Sequence, residues 1–178
     1  MAKARYNRWM SSRWIVLTLC AALLVLPACG KAPAAVVRAA PSFDLADLNG
    51  GRATLASLKG KVVVLDFWAT WCGPCLTELP EYVQFAERNR ARGVEVVGVV
   101  FDSGEPKEIQ DFVREHRVTY RQLIGNDDMK EAFGGDQGYP TTFVIDANGL
   151  IRLTVLGSTQ DKFERLQKAV DQALAVQG

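Results

Sequence analysis

The stretch Asp66-Phe67-Trp68-Ala69-Thr70-Trp71-Cys72-Gly73-Pro74-Cys75 decides the fold of this 178-residue chain. It continues an apolar run, Val62-Val63-Val64-Leu65, which is typical of a strand buried on both faces. A helix is expected to begin at the cysteines, and a helix start carries free N–H groups and a partial positive charge. That environment stabilises the thiolate, which is the reactive form of cysteine. The sequence therefore predicts that Cys72 attacks disulfides and that Cys75, one helical turn deeper, resolves the mixed disulfide.

The residues around the two cysteines favour redox chemistry over a structural role. Pro74 falls in the first helical turn, where its missing N–H has no cost. Trp71 and the Gly73-Pro74 insert are typical of an exposed helix start, so we expect an exposed cysteine pair; a plain buried disulfide is the alternative. A structural zinc site takes about four Cys or His ligands. Apart from Cys29, the chain beyond residue 28 offers two thiols and His116, and we expect no metal.

The amino terminus is typical of an export signal. Residues 1–28 hold four basic residues and no acidic one, and residues 14–26 form an apolar run. This run is shorter than the roughly 20 residues of a spanning helix and suits a secretory signal peptide; an uncleaved anchor is the alternative. Leu26-Pro27-Ala28-Cys29 resembles a bacterial lipobox. We therefore expect lipid on Cys29 and a flexible tether over residues 29–41, the alternative being an ordinary signal with a leftover cysteine.

The hydrophobic pattern of residues 42–178 predicts one α/β domain, with a mixed central sheet flanked by helices. Asn49-Gly50 is a hairpin turn signal, so two short strands form an N-terminal β-hairpin. The predicted strands cover residues 42–48, 52–55, 61–68, 94–101, 120–124, 141–146 and 150–156. The predicted helices cover residues 72–92, 105–116, 128–133 and 159–176. The last helix is amphipathic, with one apolar side made by Phe163, Leu166, Val170 and Leu174.

The active-site stretch is similar to that of thioredoxins. Three further segments resemble the membrane-anchored TlpA/ResA branch of the thioredoxin superfamily, with its AhpC/TSA-redoxin-like domain. They are Glu78 and Pro80 after the cysteines, an insertion over residues 100–133, and Gly138-Tyr139-Pro140-Thr141-Thr142-Phe143-Val144-Ile145-Asp146. The similarity covers residues 40–176. It implies a thioredoxin fold with an N-terminal β-hairpin extension and a central inserted αβ segment.

The resemblance also implies roles for two acids. Asp66 stands at the position of the buried acid in thioredoxins, where burial raises a carboxyl pKa and lets it accept the Cys75 proton. The anchored branch often has asparagine there, and the alternative is a solvated aspartate. Glu78 lies one turn after Cys75, and in the anchored family this glutamate is linked to cysteine reactivity. Its alternative is an exposed acid favourable to the helix dipole.

A docking loop is expected opposite the cysteines. Tyr139-Pro140 is predicted to be a cis peptide, since only X–Pro bonds adopt cis at low cost, and an extended substrate can pair with the backbone before it. Trp71, Gly73 and Pro74 complete the expected substrate-binding surface. Trp68 is expected in the core and Pro80 to kink the helix.

The resulting hypothesis is an extracytoplasmic reductase of protein disulfides. We expect a monomer, held on a periplasmic membrane face by a lipid anchor, that uses no cofactor beyond the Cys72–Cys75 disulfide. Its expected substrates are oxidised extracytoplasmic proteins, as in cytochrome c maturation or copper-site assembly, and its expected electron donor is a membrane thiol protein. Because the chain beyond residue 28 is mildly acidic despite a formal net charge of +1, we expect no nucleic-acid partner.

Two other activities stay open. Residues 41–60 are also similar to peroxiredoxins, but those proteins have Pro-x-x-x-Thr-x-x-Cys, and here Leu65 and Ala69 take the Pro and Thr places. A copper chaperone resembles Cys-x-x-x-Cys with a distal histidine. This chain has one residue fewer between its cysteines and no histidine after His116.

Overall fold

The computed structural model describes residues 38–135 and 137–176. Its strands are β1 (Arg38–Ala39), β2 (Asp44–Ala46), β3 (Arg52–Thr54), β4 (Val62–Trp68), β5 (Val94–Val100), β6 (Arg121–Ile124), β7 (Thr141–Ile145) and β8 (Leu150–Leu156). Its helices are α1 (Gly73–Arg90), α2 (Pro106–Glu115), α3 (Asp127–Ala132) and α4 (Lys162–Ala175), with a single 3-10 turn at Ala56–Leu58. From β2 onward the predicted order of strands and helices is confirmed, with ends that differ by a few residues; strand β1 was not predicted.

A six-stranded mixed sheet forms the centre of the domain, in the order β1-β8-β7-β4-β5-β6. Strand β4 pairs in parallel with β5 and antiparallel with β7. Every residue of β4 is buried, which explains why its sequence is a continuous apolar run up to Asp66. Helix α1 makes the crossover between the parallel strands β4 and β5. The carboxyl end of β4, at the centre of the sheet, therefore leads directly into the cysteine pair.

Two hydrophobic clusters cover the two faces of the sheet, because successive side chains of a strand point in opposite directions. Val62, Val64 and Trp68 of β4 belong to the cluster that contains buried residues of α1 and α4. Val63, Leu65 and Phe67 belong to the other cluster, together with Phe101, Phe133 and Phe143. Burying a large apolar side chain contributes about 1.5–3 kcal/mol. The predicted thioredoxin-type layering, with helices flanking a mixed sheet, is thus what the structure shows.

The folded domain begins earlier than the sequence predicts. Arg38–Ala39 form strand β1, which pairs antiparallel with β8. The N–H of Ala40 donates to the carbonyl of Gly149 at 2.8 Å, and the Arg38 guanidinium donates to the carbonyl of Phe133 at 3.0 Å. Strand β1 thus lies before residue 42, the predicted start of the domain. The predicted signal over residues 1–28, Cys29 and the tether before residue 38 lie outside the described residues.

The N-terminal hairpin and the insertion are joined. Strands β2 and β3 pair antiparallel as predicted, and Asp47 just after β2 bridges to Leu123 of β6. The insertion over residues 100–133 contains α2, β6 and α3.

None of the helices within residues 38–135 and 137–176 combines the length and the apolar character of a membrane-spanning helix.

Candidate active site

Cys72 and Cys75 lie where β4 turns into α1, as the sequence predicts. Cys72 is the N-cap of α1, and its sulfur accepts the backbone N–H of Cys75 at 3.2 Å. Pro74 lies in the first turn, where no N–H is needed. The two sulfurs form a disulfide. The pair therefore has the position in which the helix N-terminus stabilises a thiolate once the disulfide is reduced.

The cysteines themselves are less exposed than expected. Cys72 is 5% exposed and Cys75 2% exposed, whereas the neighbouring Trp71 is 63% exposed. Gly73 and Pro74 are exposed as well. The expectation of an exposed pair is therefore wrong for the disulfide state, because both cysteine side chains pack into the hydrophobic cluster under α1. The exposed surface next to the pair is therefore made by Trp71 and the Gly73-Pro74 insert.

Trp71 also belongs to a set of four contacting side chains, here called the rim network: Trp71, Asp102, Lys130 and Tyr139. The indole N–H of Trp71 donates to the carbonyl of Asp102 at 2.8 Å, and the Trp71 ring meets the Tyr139 ring edge-on at 5.8 Å. The Asp102 carboxylate accepts from Lys130 at 3.0 Å and from the Tyr139 hydroxyl at 3.1 Å. The rim network thus ties the insertion to both sides of the active site.

Electrostatics of the rim network follow from these contacts. The hydrogen bond from Lys130 holds the pKa of the Asp102 carboxyl below its ordinary value, and the Tyr139 hydroxyl acts in the same direction. Burial raises the pKa of Tyr139 to about 12, and the nearby Asp102 charge adds to this. Asp102 also has a φ of 49°, a left-handed conformation in which Asp is more common than most non-glycine residues. Sequence reasoning missed Asp102 and Lys130, since neither lies in a recognisable motif.

The Tyr139-Pro140 peptide is cis, which confirms the prediction. Pro140 is buried and Tyr139 is half-buried, with the Tyr139 ring stacked on Phe101 at 5.7 Å. The N–H of Gly157 donates to the Pro140 carbonyl at 2.8 Å and fixes the loop to the end of β8. The Trp71–Tyr139 contact brings this loop and the start of α1 together.

Asp66 is buried in strand β4, six residues before Cys72. It is 2% exposed, so the alternative of a solvated aspartate is wrong. Its carboxylate accepts the Thr142 hydroxyl at 3.4 Å, and that hydroxyl is 2.6 Å from the Tyr82 hydroxyl. Burial raises the pKa of Asp66 from 3.8 to about 7; the Lys162 charge and the Tyr82 hydroxyl oppose this rise, and the Glu78 charge adds to it. A carboxyl of this kind exchanges its proton near neutral pH.

Glu78 is buried too, which rules out the exposed helix acid as an alternative. It is 4% exposed, and its carboxylate accepts from the Lys162 ammonium at 2.5 Å. Lys162 is 0% exposed, and its nitrogen lies 5.2 Å from the centroid of the Tyr82 ring. Asp66, Glu78 and Lys162, with the hydroxyls of Tyr82 and Thr142, are here called the buried polar cluster.

Lys162 is a residue that sequence reasoning missed, although a pattern could have found it. It lies four residues before Leu166 and eight before Val170, which are buried residues of α4. Residues at this spacing share one face of a helix. A lysine on the buried face needs a partner, and Glu78 was available as the candidate acid.

The remaining predicted residues have plainer environments. Trp68 is buried as predicted, and its indole N–H donates to Gln122 at 3.0 Å. Pro80 lies inside α1, which continues from Gly73 to Arg90. His116 caps the end of α2, with its ring stacked on Phe112 at 3.9 Å. Among the described residues, no group of three or more His, Cys, Asp or Glu side chains could hold a metal ion.

Comparison with known proteins agrees with this geometry. The model of the AhpC/TSA family matches residues 36–154. The chain is 36% identical to the thiol-disulfide oxidoreductase ResA of Geobacillus thermodenitrificans over 72% of this chain and 73% of that one.

Two solved structures share the fold. A thiol:disulfide interchange protein of the thioredoxin family from Chlorobium tepidum has a TM-score of 0.68 and 31% identity, covering 79% of this chain and 98% of that one. A secreted Mycobacterium tuberculosis disulfide oxidoreductase homologous to E. coli DsbE has a TM-score of 0.60 and 27% identity, covering 73% and 95%.

Proposed function

Because the chain belongs to the AhpC/TSA family and is a thiol–disulfide oxidoreductase of ResA/DsbE type, we propose that it reduces disulfides of proteins outside the cytoplasm. The observation that carries the proposal is the Cys72–Cys75 disulfide at the N-terminus of α1, next to the cis Tyr139-Pro140 loop. Trp71, Gly73, Pro74 and the loop form the surface that receives the substrate.

The proposed reaction runs through a mixed disulfide. In the reduced enzyme, the Cys72 thiolate attacks one sulfur of a substrate disulfide and displaces the other substrate sulfur as a thiolate. Cys75 then gives up its proton, with Asp66 as the proposed acceptor, and its sulfur attacks Cys72. The Cys72–Cys75 bond forms, the bond to the substrate breaks, and the second substrate thiolate leaves. Two electrons pass from the enzyme to the substrate, and a membrane thiol donor would restore the dithiol.

The proposed direction and location have separate support. The Gly73-Pro74 insert resembles that of reducing thioredoxins, and the reduction potential decides the direction. The pattern of residues 1–28, together with the secreted relative from M. tuberculosis, supports a site outside the cytoplasm. Cys29 is the proposed lipid attachment site. Oxidised apocytochromes or copper-site proteins are the proposed substrates.

The test is the redox equilibrium of Cys72–Cys75 against glutathione or dithiothreitol. A potential near about −270 mV supports a reductase, and one near about −120 mV would make the protein an oxidant. We expect Cys72→Ser to abolish the reduction of insulin disulfides. We expect Cys75→Ser to accumulate a mixed disulfide with insulin through Cys72, visible as a mass increase that dithiothreitol reverses.

A peroxidase is the first alternative to this proposed function. Leu65 and Ala69, at the places where peroxiredoxins have Pro and Thr, are both buried in apolar surroundings. Neither side chain can donate a hydrogen bond to a peroxide. We therefore expect no robust peroxide turnover without added thioredoxin, and such turnover would overturn the assignment. A copper titration of the reduced protein tests the chaperone alternative in the same way, with tight stoichiometric binding as the contrary result.

A further inference from the structure

The buried polar cluster holds two carboxyl groups and one ammonium in the core of the domain. Asp66, Glu78 and Lys162 are 2%, 4% and 0% exposed. They come from three elements, β4, α1 and α4. A buried charge is costly unless a partner compensates it. One ammonium cannot compensate two carboxylates equally, so the geometry decides with which carboxylate it forms an ion pair.

The contacts assign Lys162 to Glu78. The ammonium donates to the Glu78 carboxylate at 2.5 Å, and its cation also faces the Tyr82 ring at 5.2 Å. The hydrogen bond that Asp66 receives comes from the neutral hydroxyl of Thr142. An ionised Glu78 is thus matched by a full charge in contact, whereas an ionised Asp66 has only dipoles in contact and a more distant cation.

We propose that Lys162 is a positioning residue for the Cys75 half-reaction: its ion pair with Glu78 leaves Asp66 without a cation in contact, so that Asp66 is the carboxyl group that exchanges a proton with Cys75. This inference deepens the proposed thiol chemistry and rests on it. In the step concerned, the Cys75 proton moves to the Asp66 carboxylate while the Cys75 sulfur bonds to Cys72 and the substrate thiolate leaves.

Every charged or titratable group near Asp66 affects how easily its carboxyl group ionises. Glu78 and Tyr82 face it from α1, and Lys162 faces it from α4. Tyr120, just before β6, is coupled to the Asp66 charge as well. Both tyrosines have pKa values raised well above their ordinary value by burial, so they stay neutral over the working range. Lys162 is therefore the cation of the cluster, and its removal should act on Asp66 with a defined sign.

The test uses the whole protein and three substitutions. Lys162→Met removes the buried cation at nearly constant volume. Lys168→Met removes an exposed cation from the same helix and is the matched control. Glu78→Gln removes the neighbouring anion. Circular dichroism establishes that each variant is folded, and the double variant K162M/E78Q, which leaves no unpaired charge at the ion pair, serves if K162M alone unfolds.

The first readout is NMR of the side-chain carboxyl carbon of Asp66 in the oxidised protein as a function of pH. We expect a midpoint near 7 in the parent protein. Removal of an attractive cation should move it upward by about one pH unit or more in K162M, whereas E78Q should move it downward and K168M should leave it in place. The proposal would be overturned if the Asp66 midpoint in K162M equalled that in K168M. It would also be overturned if the Asp66 midpoint in E78Q lay above that of the parent protein.

The second readout is the reaction of the reduced protein with Ellman's disulfide, whose first released thiol reports Cys72 and whose second reports Cys75. If the Asp66 midpoint rises by one unit, its ionised fraction at pH 7 falls about fivefold, and the second phase should slow by that factor in K162M while the first phase is little changed. An unchanged second phase would overturn the role assigned to Asp66. Failure of the proposed function would instead appear in the measured reduction potential of Cys72–Cys75 or in the insulin reduction assay. Neither the NMR titration nor the reaction with Ellman's disulfide depends on these two measurements.

Discussion

Asp66 makes the stability of the protein depend on pH in a direction opposite to that of a paired carboxylate. Its pKa is about 7 in the folded protein, against an ordinary value of 3.8. The folded state therefore binds more protons than the unfolded state between these values. The stability that the protonated group contributes is fully present below about pH 4 and is lost as the pH rises to about 7. Each pH unit of that window changes the free energy of unfolding by at most about 1.4 kcal/mol.

We predict that Asp66→Asn removes this pH dependence. In the oxidised protein, the variant should gain stability over the parent as the pH rises from 4 to 8, by a few kcal/mol in total, because the amide never ionises. Urea unfolding at several pH values measures the difference. Asp128→Asn, at an exposed position on α3, is the control. A difference between D66N and the parent that does not change with pH would contradict the prediction.

The residues of the site were predictable to different degrees for physical reasons. Cys72, Cys75, Asp66 and the Tyr139-Pro140 bond lie in contiguous motifs, and the structure places them as expected. Lys162 and Asp102 act across 84 and 28 positions of sequence separation, towards Glu78 and Lys130 respectively. No local pattern contains the pair of Asp102 and Lys130, and the only signal for Lys162 is its spacing with the buried residues of α4. The burial of Cys72 was also missed, because exposure depends on which side chains pack over a helix start.

The rim network connects four segments of the chain, before α1, after β5, in α3 and before β7, and should act on substrate binding more than on the cysteines. Lys130 of α3 pairs with Asp102 after β5, which in turn holds Trp71 and Tyr139. We predict that Lys130→Met raises the KM for insulin by about two- to fivefold, the range of a partly exposed ion pair. The rate of the first phase with Ellman's disulfide, which needs no extended docking surface, should stay the same.

The matched control for this prediction is Lys107→Met. Lys107 forms an ion pair of similar length with Asp111, at 2.9 Å, on the outer side of α2. It contacts none of the rim residues through that pair. Equal KM values in K130M, K107M and the parent protein would show that the rim network has no part in docking.

Among the strands and α-helices of the described residues, the sequence predicted all except the two-residue strand β1. Strand β4 and helix α1 follow from a continuous apolar run and a helical cysteine spacing. Strand β1 is two exposed residues long, so it has no alternation to detect, and its conformation is fixed by its partner β8. Helix α4 begins at Lys162, three residues later than predicted, because the polar residues before it contain no clear signal for the start of a helix.

For the whole molecule, β1 joins parts of the domain that are distant in sequence. Arg38 reaches the carbonyl of Phe133 while Ala39 pairs with Leu150. We predict that Arg38→Ala lowers the free energy of unfolding by about 1–2 kcal/mol, the contribution of a hydrogen bond from a charged donor. Urea unfolding measures it.

A shortened chain extends this prediction. A protein that begins at residue 42 loses the Arg38 contact, the strand pairing and the bond from Ala40 to Gly149, so it should be less stable than R38A. A protein that begins at residue 36 keeps all three and is the control. Equal stability of the two shortened chains would mean that β1 contributes nothing to the fold.

The early start of the domain also limits where its chemistry can occur. If Cys29 carries the lipid that we propose, residues 30–37 are all that separate the anchor from β1. These eight residues span at most about 28 Å when fully extended. Cys72 would then work in a thin layer along the membrane surface, where donors and substrates held in the same membrane meet it at a raised effective concentration. Partners that diffuse freely would have to enter that layer to be reduced.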